Sequence, residues 1–181
     1  MILQETMDYI KEQCKTAVYS IPQKDWDVLI DQIISKEKIF IYGSGRSGLV
    51  GQLFAVRLVQ MGLNVYFVGD MTTPIIGKND LTILISNTGH TVSVVQTAEI
   101  ARRIGSHVIS VTSSPSSKLA VVSNNAIIVK VKKDELSSEL APLGTIFEDT
   151  VLFFFDCIVP ELMKKMNVKE DDMRKKHAIW V

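Results

Sequence analysis

Leu81-Thr82-Ile83-Leu84-Ile85 runs directly into Ser86-Asn87-Thr88-Gly89-His90-Thr91, and this junction decides how the rest of the chain is read. A short, continuous apolar run bounded by a polar turn has the length and composition of a strand buried on both faces. From Thr91 onward, Val94, Val95, Ala98, Ala101 and Ile104 recur at roughly helical spacing. The stretch is strand, tight polar turn, helix. The first turn of a helix leaves backbone N–H groups without partners, and its dipole places partial positive charge there. With hydroxyls from Ser86, Thr88 and Thr91, the turn reads equally as a cradle for a phosphate dianion or as an N-cap with spare hydroxyls.

The same alternation extends in both directions. Short apolar runs lie at Ile39–Tyr42, Asn64–Val68, His107–Val111 and Ala126–Val131, with helical patterns over 47–61, 91–104 and 116–122. Before them, Leu3, Met7, Ile10, Cys14 and Ala17 form one stripe of a helix over 2–19. Pro22 ends it, and Trp26, Leu29, Ile30, Ile33 and Ile34 mark a second helix. After Pro142 the pattern predicts a long helix over roughly 143–166 and then a short charged tail. Near-continuous apolar strands separated by helices imply a parallel sheet covered on both faces. The expectation is an α/β fold, a three-layer α/β/α sandwich on a five-stranded parallel sheet. It forms one domain over 1–181, with N-terminal helices over 1–36, the sandwich over 37–166 and a tail over 167–181. Neither an internal repeat nor a low-complexity linker interrupts it.

Composition narrows the class. A chain of 181 residues is near the size of one domain and long enough to bury a core. Twenty basic residues balance twenty acidic ones, which argues against broad electrostatic binding of nucleic acid. The small clusters Lys130–Lys133 and Arg174–Lys176 read as solvated faces. Cys14 and Cys157 have no partner pattern and read as reduced, mostly buried thiols. Glu5, Asp8, Lys11 and Glu12 interrupt any signal-type apolar core, and Val151–Val159 is too short to span a bilayer. The expected location is the cytoplasm. The three histidines, His90, His107 and His177, lack metal-ligand spacing; His107 opens a strand and reads as structural.

In open parallel sheets, ligands bind beyond the carboxyl ends of the strands, where strand order reverses. The loops 43–48, 69–74, 86–91 and 112–116 all fall on that edge. Gly43-Ser44-Gly45-Arg46-Ser47-Gly48 even fits a dinucleotide fingerprint, with Asp70 as the acidic residue for a ribose. The chain leaves no room for a substrate domain, however, and a nicotinamide enzyme would not need a second anion-type loop at 86–91. Glycines there equally let backbone approach a small phosphosugar. Arg46 and Ser47 then add a cation and a hydroxyl to the same pocket, although pairing of Arg46 with a surface carboxylate is an ordinary alternative.

Several segments together resemble one family. Ser86–Thr91 is similar to the phosphosugar loop, Ser-x-Ser-Gly-x-Thr, of the sugar isomerase (SIS) domain family. Gly45–Gly48, Phe54–Leu58, Val68–Pro74, Leu140–Glu148 and Arg174–Ala178 extend the resemblance almost end to end, and they resemble its 6-phospho-3-hexuloisomerase subgroup. Asn87 and Thr88 stand where the family's loop has Gly and Ser, and His90 where it has Glu or Arg.

The resemblance implies a flavodoxin-like sheet topology and interconversion of 3-hexulose 6-phosphate with fructose 6-phosphate, without metal or organic cofactor. It also implies a homo-oligomer, a tetramer built as a dimer of dimers. Such a reaction needs a phosphate anchor, a base that moves a proton between C2 and C3 through a cis-enediol, and a donor for the enediolate oxygens. The anchor falls to Arg46, Ser47, Ser86, Asn87, Thr88, Gly89, His90 and Thr91. Glu148 matches the family's proton acceptor, though by itself it reads as a carboxylate favoured in a helix first turn. His177 is the second group, because imidazole gains and loses a proton near neutrality; by itself it reads as surface. The competing expectations are a non-catalytic phosphosugar sensor and an isomerase of another aldose or ketose phosphate. The stripe Leu3, Met7, Ile10, Cys14 and Ala17 of the leading helix and the run Val151–Val159 present more apolar surface than the sandwich must cover, which marks an interface.

Overall fold

In the computed structural model, residues 2–132 and 134–177 are described; Lys133 of the basic cluster and Ala178 of the tail motif lie outside them. Two helices lead, α1 (Ile2–Tyr19) and α2 (Gln23–Ser35). The sandwich follows as β1 (Ile39–Gly43), α3 (Arg46–Gln60), β2 (Val65–Phe67), β3 (Leu81–Ile85), α4 (Val92–Ile104), β4 (His107–Thr112), α5 (Lys118–Val122) and β5 (Asn125–Ile128). The chain closes with α6 (Glu135–Leu140), a 3-10 turn at Pro142–Gly144, α7 (Thr145–Met166) and α8 (Glu170–Lys175).

The five strands form one parallel sheet in the order β2-β1-β3-β4-β5, with Gly43 beside Ile85 and Ile85 beside Val111 at the carboxyl edge. This is the flavodoxin-like order, and it reverses between β1 and β3. Alternate strand residues serve opposite faces. Ile39, Ile41, Ile83, Ile85, Ile109, Val111 and Ile127 pack into the core shared with α1, α2, α3 and α7. Leu84 and Val108 pack on the other side with Val94, Val95, Ala98 and Ala101 of α4 and Leu119 of α5. Phe54 of α3 stacks on Phe155 of α7 at 4.1 Å between ring centroids, and Trp26 meets Phe154 edge-on at 4.7 Å. These ring contacts fix α7 beneath α3, which brings the first turn of α7 to the carboxyl edge of the sheet.

The sequence expectations need five adjustments. The second and fifth strands are shorter than the runs at 64–68 and 126–131, because both sit at the sheet edges and pair on one side only. The charged tail contains a helix, α8, and a short helix, α6, precedes Pro142. The long helix starts at Thr145 rather than 143, since Leu143 and Gly144 both take left-handed backbone conformations, with φ of 55° and 91°. Cys14 is buried, but Cys157 is exposed: it lies on the side of α7 that borders a groove with Met7, Ile10 and Phe153. The apolar surface expected at an interface is smaller than the sequence suggests: Leu3 and Met7 are exposed, at 80% and 66%, but Cys14 and Ala17 of the same stripe are buried, as are Val151, Phe154, Phe155, Ile158 and Val159, which pack under the sheet instead. Among the described residues, no helix is long and apolar enough to cross a membrane.

Candidate active site

Two strand-to-helix turns meet at the point where strand order reverses. At the first, β1 passes into α3 through Gly43 and Gly45. A Cβ on Gly43 would sit 2.9 Å from the Gly48 nitrogen, and one on Gly48 would sit 2.5 Å from the Gly43 carbonyl oxygen. Only hydrogen at both positions allows the strand end and the helix start to touch. Gly45 supplies the left-handed residue, φ 59°, that turns the chain between them. The turn leaves Ser47 buried and Arg46 reaching outward.

At the second turn, β3 passes into α4. Ser86 Oγ lies 3.0 Å from Thr91 Oγ1 and accepts the Gly89 N–H at 3.2 Å, which closes the loop on itself. Thr88 Oγ1 accepts the His90 N–H at 3.3 Å. The end of β4 holds the loop from behind. Thr112 Oγ1, Ser113 Oγ and the Ser113 N–H all donate to the Asn87 carbonyl, at 3.0, 2.8 and 3.0 Å. Gly89, φ 65°, admits no side chain, because a Cβ there would collide with the Ser117 hydroxyl. The N-cap position of α4, Thr91, has its hydroxyl engaged with Ser86 rather than with the helix N–H groups. The Val94 N–H donates to the Thr91 carbonyl at 3.1 Å, so the Val92 and Ser93 N–H groups are the ones that stay available to an anion.

Glu148 joins the two turns. The left-handed pair Leu143–Gly144 starts α7 so that Glu148 falls in its first turn, where the helix dipole favours negative charge. Its carboxylate is buried, with 7% of the residue exposed. Arg46 Nε donates to Glu148 Oε2 at 3.0 Å, and Ser47 Oγ stands 3.5 Å from Oε1, the limit of a hydrogen bond. Arg46 also reaches Asp149 Oδ1 at 3.8 Å. Burial pushes the Asp149 carboxyl up, and the Arg46 charge pulls it back. A buried carboxylate held by an exposed, movable cation is available as a base once a ligand anion competes for that cation.

The structure thus brings Arg46, Ser47 and Glu148 together, and sets Ser86 to Thr91 on the neighbouring strand. It does not bring His177 to them within one chain. His177 is exposed after α8 and lines cavities with Arg57 and Gln60, and with Gln52, Val59 and Asp70. Gln60 lies about 20 Å along α3 from Ser47, at 1.5 Å per residue, and none of Arg46, Ser47 or Glu148 borders either cavity. His107 is structural: its Nε2 lies 2.9 Å from Asn125 Oδ1, tying β4 to β5. Among the described residues, no group of three or more His, Cys, Asp or Glu side chains is placed to hold a metal ion. The sequence reading missed Asp149 as the second carboxylate on Arg46. It also missed Gly144, whose missing side chain separates Asn87 from Glu148.

The SIS domain model matches residues 32–152, which include every element that builds these two turns. The chain belongs to the SIS domain family. Similar relatives include the 3-hexulose-6-phosphate isomerase of Methanocaldococcus jannaschii, 42% identical over 152 residues that cover 84% of this chain and 82% of the relative. The 3-hexulose-6-phosphate isomerase of Bacillus subtilis is 32% identical, covering 96% of this SIS chain and 98% of its own. Among solved structures, a hypothetical protein of Methanococcus jannaschii, for which a 3-hexulose-6-phosphate isomerase function was inferred, superimposes with a TM-score of 0.89. It is 36% identical and covers 98% of this chain and 99% of its own.

Proposed function

We propose that this SIS-domain protein is a phosphosugar isomerase that interconverts 3-hexulose 6-phosphate and fructose 6-phosphate by proton transfer through an enediol, without metal or organic cofactor, in the cytoplasm. The observation that carries the reading is the buried Glu148 carboxylate, set between a helix N-terminal turn and Arg46 beside a hydroxyl-lined loop. Two relatives of nearly the same length are named for this activity. The phosphate is held by the α4 N-terminus with Ser86, Thr88 and Thr91, and by Ser47 and Arg46 from α3. Arg46 moves from Glu148 to the phosphate on binding, leaving the carboxylate to take the carbon-bound proton.

A homo-oligomer, a tetramer built from dimers, completes the site. Leu49, Leu53, Val56 and Val59 stand exposed along one side of α3, at helical spacing, and His177 lies beside Val59. A second copy covering that apolar face would carry His177 across to its neighbour's pocket. That accounts for a proton-transferring side chain remote from Glu148 in its own chain.

The deciding experiment is incubation with fructose 6-phosphate in deuterated water. Deuterium should enter at C3 of the fructose 6-phosphate pool as 3-hexulose 6-phosphate forms. Binding of the sugar phosphate without exchange at any carbon would instead make the protein a sensor.

A further inference from the structure

Asn87 is engaged twice, by its backbone and by its side chain, and the two engagements face different neighbours. The carbonyl takes three donors from Thr112 and Ser113, which pins the residue to the end of β4. The side-chain amide reaches the other way, to the start of α7. Its Nδ2 lies 2.8 Å from the point where a Cβ on Gly144 would sit, and both Glu148 oxygens lie 3.6 Å from that same point. Amide and carboxylate therefore both lie against Gly144, and the absence of a Cβ there is what lets the amide come so close. Among the described residues, no hydrogen-bond acceptor takes the Asn87 Nδ2 protons. Asn87 and Gly144 also border an open cavity of about 610 Å³ with Lys132, Asp134, Glu135 and Ser137, which Glu148 itself does not border.

We propose that Asn87 is a catalytic residue, whose side-chain N–H binds the carbonyl oxygen of the ketose and stabilises it as the enediolate forms. The inference rests on reading the chain as a ketose-phosphate isomerase. Glu148 takes the C2 proton of 3-hexulose 6-phosphate, the C–H pair becomes the C2=C3 bond, and the C3 carbonyl pair moves onto its oxygen. That oxygen, carrying the new negative charge, is held by the amide. It then gains a proton as the C2 hydroxyl loses one, and Glu148 returns its proton to C3, leaving fructose 6-phosphate. A carboxyl group at position 87 would repel the developing anion, whereas an amide donates at any working pH. This separates Asn87 from the phosphate anchor, to which its place in the loop would otherwise assign it.

The test compares two probes by calorimetry: the four-carbon aldonohydroxamate phosphate, whose carbonyl carbon and nitrogen stand in for C3 and C2 of the enediolate at the right distance from the phosphate, and the matching alditol phosphate, which has no such oxygen. Wild-type protein should prefer the hydroxamate. Asn87→Ala and the equal-sized Asn87→Asp should lose that preference by on the order of 10- to 100-fold, the value of one hydrogen bond to a charged group. Their affinity for the alditol phosphate should stay within about twofold for Asn87→Ala, with kcat falling roughly 10²–10³-fold. Retained preference in both variants overturns the role of Asn87 alone. Equal loss of both probes also overturns it, and returns Asn87 to the phosphate anchor. Wild-type protein that binds neither probe overturns the isomerase reading together with it.

Discussion

The turn after β1 and the turn after β3 have the same shape, and they are built from opposite materials. At 43–48 the chain relies on missing side chains: Gly43 and Gly48 touch backbone to backbone, and the exposed Arg46 is committed to carboxylates on α7. At 86–91 it relies on side chains: Ser86, Thr88 and Thr91 knit the loop, and Thr112 and Ser113 brace it from the next strand. The first turn places a charge beside Glu148; the second leaves helix N–H groups open to an anion. The comparison shows why a glycine pattern alone misleads. Gly43 to Gly48 satisfies the spacing of a dinucleotide loop, yet its glycines serve helix-to-strand contact and its cation serves Glu148.

The largest effect should come from the residue that joins the two turns. Glu148→Gln keeps the size and the hydrogen-bonding capacity of the side chain but cannot take a carbon-bound proton. Turnover of 3-hexulose 6-phosphate should fall about 10²–10⁴-fold, while binding of a phosphosugar, followed by calorimetry, survives. Turnover within threefold of wild type would remove Glu148 from the chemistry.

The hydroxyl turn should answer differently. Ser86→Ala or Thr91→Ala removes one support of the cradle, and a lost hydrogen bond to a charged group weakens binding by roughly 1.5–3 kcal/mol. KM should rise and inorganic phosphate should compete less well, with thermal stability little changed. If both variants bind substrate and phosphate normally, the anion sits elsewhere. The glycine turn should break in the opposite sense. Gly48→Ala forces a methyl to 2.5 Å from the Gly43 carbonyl oxygen, a backbone atom that cannot swing away. Overpacking of this kind costs about 1–3 kcal/mol, so a denaturant titration should show lost stability. An unchanged midpoint would mean that the strand end and the helix start are not in close contact.

Much of this arrangement is legible in the residues. Leu81–Ile85 is apolar but for Thr82, and Val94, Val95, Ala98 and Ala101 keep helical spacing, so strand, loop and helix follow from local pattern. The position of Glu148 in a first turn follows from Pro142 and Gly144 just before it. What local pattern does not carry is contact between distant segments. The tie from Arg46 to Asp149, the Gly144 gap between Asn87 and Glu148, and the distance of His177 from both depend on how α7 and α8 pack under α3. Helix α6 escapes because Glu-Leu-Ser-Ser-Glu-Leu is too short to show a period. Its start is set by the Asp134–Ser137 capping pair. The outward face of Cys157 escapes too, because the run Val151–Val159 around it is apolar but for Asp156.

The smallest effect sharpens the comparison most. Arg46→Gln removes the cation that the glycine turn delivers and leaves both α7 carboxylates in place. The Arg46 side chain is 58% exposed, so its ion pairs are screened and worth about 1 kcal/mol or less. That contribution exists only while the carboxylates are charged. Burial already raises the folded-state value of Asp149, so stability from its neutral form is present below the ordinary aspartate range and fades as pH rises through the raised value. Arg46 opposes this by favouring the charged form. Without it, the Asp149 value rises further and the fade continues to higher pH. Wild type and Arg46→Gln should therefore have the same stability near pH 3 and diverge as pH climbs through the carboxylate range, with wild type the more stable. Ser86→Ala should show no such divergence, because the Ser86 hydroxyl bonds only the Thr91 hydroxyl and the Gly89 N–H. Parallel stability curves for wild type and Arg46→Gln at all pH values would mean that Arg46 does not act on these carboxylates, and that the glycine turn, like the hydroxyl turn, is held without charge.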